Sequence, residues 1–195
     1  MTEDTVSVGK DTLESLTTGM YSDPKIVYRE YIQNSVDSLE NAVSLGLIEP
    51  QSMRIDIVIN AEESFISIKD NGTGIPADTA AATLMNVGSS KKRSANNRGF
   101  RGIGRLGGMS YCDTLVFTTS AENESVKTII SFDCKKLRRL LVPGEYEEMS
   151  LSAVLEEITS IVTLPEKLEK HYLCVEMKEV NGFSDLLDID TARSY

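Results

Sequence analysis

The chain has 195 residues, of which 41% are hydrophobic, and its formal net charge is −10 at pH 7. This length and apolar content suffice for one domain with a substantial core, and they argue against extended disorder. The acidity disfavours nonspecific binding to nucleic acid or anionic lipid, because the long-range field would repel a polyanion.

Neither a leader peptide nor a membrane span is predicted. The first residues lack a basic segment followed by an apolar one, and no apolar run reaches membrane length. Cys112, Cys134 and Cys174 are odd in number and form no CxxC pair, which is typical of free thiols in a reducing compartment. We therefore expect a soluble cytoplasmic protein with no membrane partner.

A long amphipathic helix is predicted first. Asp23 is its expected N-cap and Pro24 its first helical residue, and the helical pattern extends to about Gly46. The predicted core-facing stripe is Tyr28, Ile32, Val36, Leu39, Val43 and Leu47. The polar stripe on the opposite side is Glu30, Asn34, Asp37 and Asn41.

A β-hairpin follows, because residues 53–60 and 64–70 alternate apolar and polar side chains on either side of a three-residue turn. The second strand ends on the carboxylate of Asp70. Residues 71–76, with two glycines and a proline, exclude regular structure, and a short helix is expected at 78–85.

Residues 88–101 form a polar loop that is too long for a passive connection and is typical of a lid or binding loop. Residues 91–105 hold six of the 20 Lys and Arg and no acidic residue, and they contain Gly99, Gly102 and Gly104. Positive charge beside glycines, whose backbone N–H groups can approach a ligand closely, favours phosphate binding.

The second half of the chain is predicted to contain mainly strands. Residues 114–120 and 125–132 predict another hairpin, and 172–180 predict a further strand. Residues 148–164 are ambiguous between helix and strand. We expect one domain over 1–185, and 186–195 to begin a linker or a following domain in a longer protein.

Three motifs occur in a characteristic order: Glu30-x-x-x-Asn34-x-x-Asp37, Asp70-x-Gly72-x-Gly74 and Gly99-x-x-Gly102-x-Gly104. In this they resemble the GHKL ATPases, named for gyrase B, the ninety-kilodalton heat-shock chaperones, sensor histidine kinases and MutL. YREYIQNSVDS, IKDNGTGIP and RGFRGIGRLG are most similar to the chaperone type. The resemblance implies the Bergerat fold, an α/β two-layer sandwich with a mixed, mainly antiparallel sheet and helices on one face.

The resemblance also implies roles at the acidic and amide positions. Glu30 would orient or deprotonate the attacking water, and Asn34 would offer an amide oxygen to Mg²⁺. Asp37 would order metal-bound water or contact the adenine side. Asp70 would accept the 6-amino hydrogen of adenine, although a carboxylate at a strand end can also simply stabilise a turn.

The glycine motifs would approach the nucleotide. Gly72 and Gly74 would let the backbone pass the base, and Thr73 would add a water-mediated contact. The third motif would enter a helix at about Ile103 and face the α- and β-phosphates. The remaining expected nucleotide contacts are Asn86, Lys91, Lys92, Gly99, Arg101, Gly102, Ile103 and Gly104, although Lys91 and Lys92 can equally be solvated surface lysines.

Other sites lack support in the sequence. Residues 102–107 spell GxGxxG, but no buried strand precedes them, as a Rossmann turn requires, and no GxxxxGK[ST] motif occurs. His171 is the only histidine and has no Cys or His at ligand spacing, which disfavours zinc, a Ser-His-Asp triad and a phosphorylated histidine.

One position departs from the family pattern. The family commonly opens its last strand with Gly-Thr, and the threonine lies near adenine, whereas this strand begins at His171-Tyr172-Leu173-Cys174. Thr118 or another side chain would have to substitute, or the adenine pocket differs.

The expected function is Mg²⁺-dependent binding and slow hydrolysis of ATP to ADP by a chaperone-like ATPase. Lid closure would drive homodimerisation of the full-length protein, and a client protein is a possible further partner. The alternatives are a nucleotide-gated module of a MutL- or MORC-like machine for DNA or defence, and a scaffold without activity. Direct contact of this domain with nucleic acid is not expected.

Overall fold

The structure is a computed structural model that describes residues 24–85, 104–141, 151–181 and 185–193. Several predictions lie outside these residues: the Asp23 cap, the loop at 88–101, and the nucleotide contacts Asn86, Lys91, Lys92, Gly99, Arg101, Gly102 and Ile103. The first two motifs and Gly104 of the third lie within the described ranges.

Six strands form one antiparallel sheet in the order β1-β2-β6-β3-β4-β5. The strands are β1 Ile55–Asn60, β2 Phe65–Asp70, β3 Cys112–Ser120, β4 Val126–Asp133, β5 Thr159–Pro165 and β6 Tyr172–Val180. The two predicted hairpins and the strand at 172–180 are confirmed. The last strand in sequence lies at the centre of the sheet, between β2 and β3, and so brings distant segments beside Asp70.

The helices cover one face of the sheet, as expected for the predicted two-layer sandwich. They are α1 Ile26–Ser44, α2 Ala77–Met85, α3 Cys134–Leu140, α4 Leu151–Ile158 and α5 Ile189–Arg193, with 3₁₀ helices at Pro50–Ser52, Gly104–Ser110 and Asp185–Leu187. Alternate residues of β2, Ile66, Ile68 and Asp70, are buried, so Asp70 shares the face that packs on the helices.

The core lies between α1 and the central strands. Tyr31 of α1 meets Phe117 of β3 edge to face with ring centroids 6.5 Å apart, and Phe117 meets Phe132 of β4 at 6.0 Å. Such aromatic pairs add about 0.5–1.5 kcal/mol each beyond their burial. They fix α1 across the middle of the sheet, where its polar flank can form a site.

The predicted core-facing stripe of α1 is rotated from the observed one. The buried residues are Val27, Tyr28, Tyr31, Ser35, Leu39 and Ala42. Ile32, Val36 and Val43 are only half-buried, and so are Glu30, Asn34 and Asp37. The hydrophobic pattern placed Val36 inside, but a hydrogen bond to buried Asp70 turns Ser35 inward instead.

The structure makes two further helical predictions more precise. The helix expected at about Ile103 is described from its second residue as the 3₁₀ helix Gly104–Ser110, whose glycines have low α-helix propensity. Residues 148–164 contain both helix and strand, since α4 is followed directly by β5. The short basic helix α3 was not predicted, and Asp133 caps it by accepting from the Lys136 backbone N–H at 2.7 Å.

The described chain continues past the predicted domain boundary. Leu186 is fully buried in the core, and its carbonyl accepts a hydrogen bond from the Tyr28 hydroxyl at 2.5 Å. A membrane-crossing helix is not found among the described residues.

Candidate functional site

Glu30 and Gly104 lie in direct contact. A β-carbon built on Gly104 would overlap the Glu30 carboxylate, with Oε2 as its nearest neighbour. Glu30 comes from the N-terminal half of α1, and Gly104 begins the 3₁₀ helix that crosses it. The only side chain that fits at position 104 without displacing this carboxylate is hydrogen.

A second contact one turn further along the 3₁₀ helix fixes this crossing. The Gly108 N–H donates to the Tyr31 hydroxyl at 3.1 Å, and a β-carbon on Gly108 would lie only 2.5 Å from that hydroxyl. Arg105 of the same segment donates to the Thr83 carbonyl near the end of α2. The segment that starts at Gly104 is thereby held against both α1 and α2 by its backbone and by one cation.

The Glu30 carboxylate is poised to take up a proton. Burial raises its pKa above the ordinary value, and the charge of Arg29 opposes that rise only in part. No described residue donates a hydrogen bond to it. A carboxylate that accepts from no donor in the described part of the chain, and whose pKa is raised by burial, has the properties of a general base.

Asn34 and Asp37 continue along the same flank of α1, one and two turns after Glu30. Asp37 accepts a hydrogen bond from Gln33 Nε2 at 2.9 Å. The Asn34 amide is half-buried and makes no hydrogen bond to any described residue. Its oxygen is therefore available to a ligand, whereas part of the Asp37 carboxylate is occupied.

Asp70 lies at the end of β2 with only 2% of its surface exposed. Its Oδ1 accepts from the Gly72 N–H at 2.9 Å, and its Oδ2 accepts from the Ser35 hydroxyl at 3.0 Å. Burial raises its pKa, while hydrogen bonds, first from Gly72 and then from Ser35, limit the rise. The turn-stabilising contact considered as an alternative is thus present, and further hydrogen bonds from the Leu173 backbone and the Ser38 hydroxyl also lower the pKa of this carboxylate.

The turn after Asp70 is held by side chains from three other segments. Ser38 Oγ of α1 accepts from the Thr73 N–H at 3.1 Å, and Thr119 Oγ1 of β3 accepts from the Ile75 N–H at 2.7 Å. His171 Nδ1 lies 2.6 Å from the Gly72 carbonyl oxygen. Almost every polar group of this irregular segment is therefore fixed before any ligand arrives.

The two glycines of the turn meet different constraints. Gly72 packs on Ser38, where a β-carbon would overlap the hydroxyl. Gly74 has a φ of +64° and lies against the Ser120 carbonyl. A side chain at 74 would meet rigid backbone in a left-handed conformation, so glycine is required there.

The threonine beside the turn is Thr119. It is 1% exposed and donates to the Tyr172 carbonyl at 3.0 Å, on the strand where the family commonly has its threonine. Thr118, named as a possible substitute, points to the opposite face of the sheet, because strand side chains alternate. β6 pairs Leu173 with Asp70 on one side and with Thr119 on the other.

A family model described as "Histidine kinase-, DNA gyrase B-, and HSP90-like ATPase" matches residues 21–159, well over half of the chain. The chain belongs to this ATPase family. A search of curated proteins finds no significant match. The match covers the elements that carry Glu30, Asn34, Asp70 and Gly104.

The residues of this ATPase-family site fit Mg²⁺ bound together with ATP. Among the described residues, no cluster of three or more His, Cys, Asp or Glu could hold a metal alone. Mg²⁺ needs no such cluster, since it commonly takes one or two protein ligands and completes its octahedron with phosphate oxygens and water. The Asn34 amide, which has no hydrogen-bond partner within the described ranges, suits that role.

Sequence reasoning missed the residues that hold the site in shape: Tyr31, Ser35, Ser38, Thr119 and His171. Two serines inside a predicted helix were the available signal, because serine is unfavourable in helix interiors unless its hydroxyl has a partner. No local signal marks Thr119 or His171. Their roles depend on strand pairing between segments that are far apart in the sequence.

Proposed function

We propose that this domain binds ATP with Mg²⁺ and hydrolyses it slowly to ADP and phosphate. One observation supports the proposal above all others. The same helix α1 contacts Gly104 of the third motif through Glu30 and Asp70 of the second motif through Ser35. The two contacting residues of α1, Glu30 and Ser35, are five positions apart, which is about 7.5 Å along the helix axis. A nucleotide lying along α1 would meet both.

In this proposal the buried Asp70 carboxylate accepts a hydrogen of the adenine 6-amino group, which guanine lacks because it carries a carbonyl there. Asn34 would supply its amide oxygen to Mg²⁺, whose charge would offset that of the phosphates. Gly104 lets a phosphate approach the backbone close to Glu30. Glu30 then orients the attacking water and takes its proton as the water adds to the γ-phosphorus and ADP leaves.

We further propose the chaperone type of activity, with lid closure coupled to homodimerisation and with a client protein as partner. This finer assignment is supported by the amino-acid sequences of the three motifs and by the polar, basic composition of residues 88–101. Lys91 and Lys92 are the cations that would close over the γ-phosphate. Gly99, Arg101, Gly102 and Ile103 would complete the phosphate cradle, and Asn86 would lie near the sugar.

Two measurements test the proposal. Calorimetry should show binding of a nonhydrolysable ATP analogue that weakens markedly when Mg²⁺ is chelated. Phosphate release from Mg·ATP should then be slow but above background. Absence of heat and of any thermal shift with the analogue would contradict nucleotide binding and leave a scaffold.

Dimerisation is tested separately by light scattering on the longest available form of the protein. The analogue with Mg²⁺ should raise the measured mass toward that of a dimer, and ADP should not. An unchanged monomer mass with the analogue bound would contradict the dimer and leave ATP binding intact.

A further inference from the structure

His171 is the only histidine, and its ring is bonded to the turn that follows Asp70. Nδ1 lies 2.6 Å from the Gly72 carbonyl oxygen, although the two residues are 99 positions apart. A carbonyl oxygen only accepts, so Nδ1 must carry the proton and donate it. The imidazole thus links the start of β6 to the turn after β2, which lies far away in the sequence.

The bridge fixes one particular peptide group. The carbonyl of the peptide between Gly72 and Thr73 accepts from His171, and the N–H of the same peptide donates to Ser38 Oγ at 3.1 Å. These two partners come from opposite sides, since Ser38 lies on α1 and His171 precedes β6. Held at both ends, the peptide plane has one orientation.

That orientation determines how the Asp70 carboxylate is presented. The neighbouring peptide donates the Gly72 N–H to Asp70 Oδ1 at 2.9 Å, so a rotation of the turn would release this bond and let the carboxylate turn about its own side-chain bonds. Oδ1 would then lose its bond to the turn, while Ser35 would still hold Oδ2. Glycine at 72 and 74 gives the turn the freedom to rotate when a clamp is lost.

We propose that His171 is a positioning residue for base selection, which holds the Gly72 turn so that Asp70 points one acceptor at the 6-amino group of a purine. This inference depends on the proposed ATP site. His171 does not touch the reacting phosphate. Loss of the His171 side chain therefore lowers the selectivity for a 6-aminopurine and leaves the turnover rate at saturating nucleotide unchanged.

The test compares His171→Leu with His171→Asn, two side chains of similar shape. Asn places a donor nitrogen where the imidazole has Nδ1, and Leu has none. Each variant is titrated with Mg·ATP and with the Mg²⁺ complex of purine riboside triphosphate, which lacks only the 6-amino group. Lys170→Ala, an exposed neighbour, is the control, and far-UV circular dichroism checks folding.

The preference of the wild type for ATP over the deamino analogue should fall about fivefold in His171→Leu, which corresponds to one ordinary hydrogen bond. His171→Asn and Lys170→Ala should keep it, and kcat should stay unchanged in all three. Hydrogen exchange at the Thr73 amide should accelerate in His171→Leu alone, without nucleotide. Should that variant not fold, His171→Ala takes its place.

An unchanged preference in His171→Leu would overturn the role of His171 while leaving ATP binding in place. An equal loss of preference in His171→Asn would also overturn it, because the hydrogen-bond donor would then not be the property of His171 that sets the preference. Failure of the wild type to bind ATP would overturn the proposed function, and the role of His171 with it.

Discussion

The Glu30 carboxylate occupies the space into which a β-carbon of Gly104 would project. This contact joins the acidic residue of the first motif to the last glycine of the third, across 74 positions of sequence. It places a group that can accept a proton directly against the backbone of the third motif's last glycine.

Glu30→Gln should lower the rate of phosphate release by roughly 10²–10⁴-fold, because the amide keeps the shape but cannot accept the proton of the attacking water. Binding of Mg·ATP should change little. Phosphate release and calorimetry measure the two effects. Glu40→Gln, an exposed position on the same helix, is the control, and equal rates in both variants would contradict the role of Glu30.

Gly104→Ala and Gly74→Ala should fail in different ways. At 104 the obstacle is the flexible end of a side chain, so the free energy of unfolding should change by less than about 1 kcal/mol while displacement of the carboxylate lowers kcat by up to about 10²-fold. At 74 the obstacle is the Ser120 carbonyl at a φ of +64°, which should cost about 1–3 kcal/mol of stability. Urea unfolding and phosphate release separate the two; a strongly unfolded Gly104→Ala would contradict this reading.

The pH dependence of hydrolysis should show the raised pKa of Glu30. Glu30 must be ionised to act as a base, so kcat falls as pH falls through its pKa, and the acid limb should lie above the ordinary glutamate value of 4.5. An acid limb at or below 4.5 would contradict the burial of this carboxylate in the working protein.

The contribution of the Glu30 and Asp70 carboxyl groups to stability should fall as pH rises, whereas the rate of hydrolysis should increase. Since the pKa values of Glu30 and Asp70 are raised by burial, the folded state binds their protons more tightly than the unfolded state. Their contribution to the free energy of unfolding therefore falls as pH rises from the unfolded pKa through the folded pKa. Glu30→Gln should be at least as stable as the wild type at pH 7, which a thermal melt would show.

Asp70→Asn should weaken Mg·ATP binding about tenfold and reduce discrimination against GTP, since an amide can present a donor where the carboxylate only accepts. Competition binding with ATP and GTP measures both effects. Asp56→Asn on the neighbouring strand β1, where the side chain is exposed, serves as the control. An unchanged ATP-to-GTP ratio in Asp70→Asn would show that another group reads the base.

Local pattern predicted the sheet well. Strands such as β2 and β6 alternate so regularly that their positions follow from the sequence, and the family resemblance supplied the two-layer fold. The same reasoning placed Val36 in the core and left Ser35 out, because a hydrophobicity pattern cannot register that Ser35 meets a buried carboxylate from another element. Tertiary hydrogen bonding decided the rotation of α1.

The candidate site was predictable only as far as its motifs reach. Glu30, Asn34, Asp70 and Gly104 follow from spacing and resemblance, and the structure places each on an element in contact with α1 or within it. The supporting residues Thr119 and His171 carry no motif, because their function arises from β6 lying between β2 and β3. Strand order is a property of the whole fold and not of any local segment.

A crystal structure of the protein with Mg²⁺ and a nonhydrolysable ATP analogue tests the central claim most directly. One nucleotide should lie along α1, with its 6-amino group at Asp70, its Mg²⁺ at Asn34 and its phosphates beside Gly104 and Glu30. A nucleotide bound with its base away from Asp70, or with its phosphates away from Gly104, would contradict it.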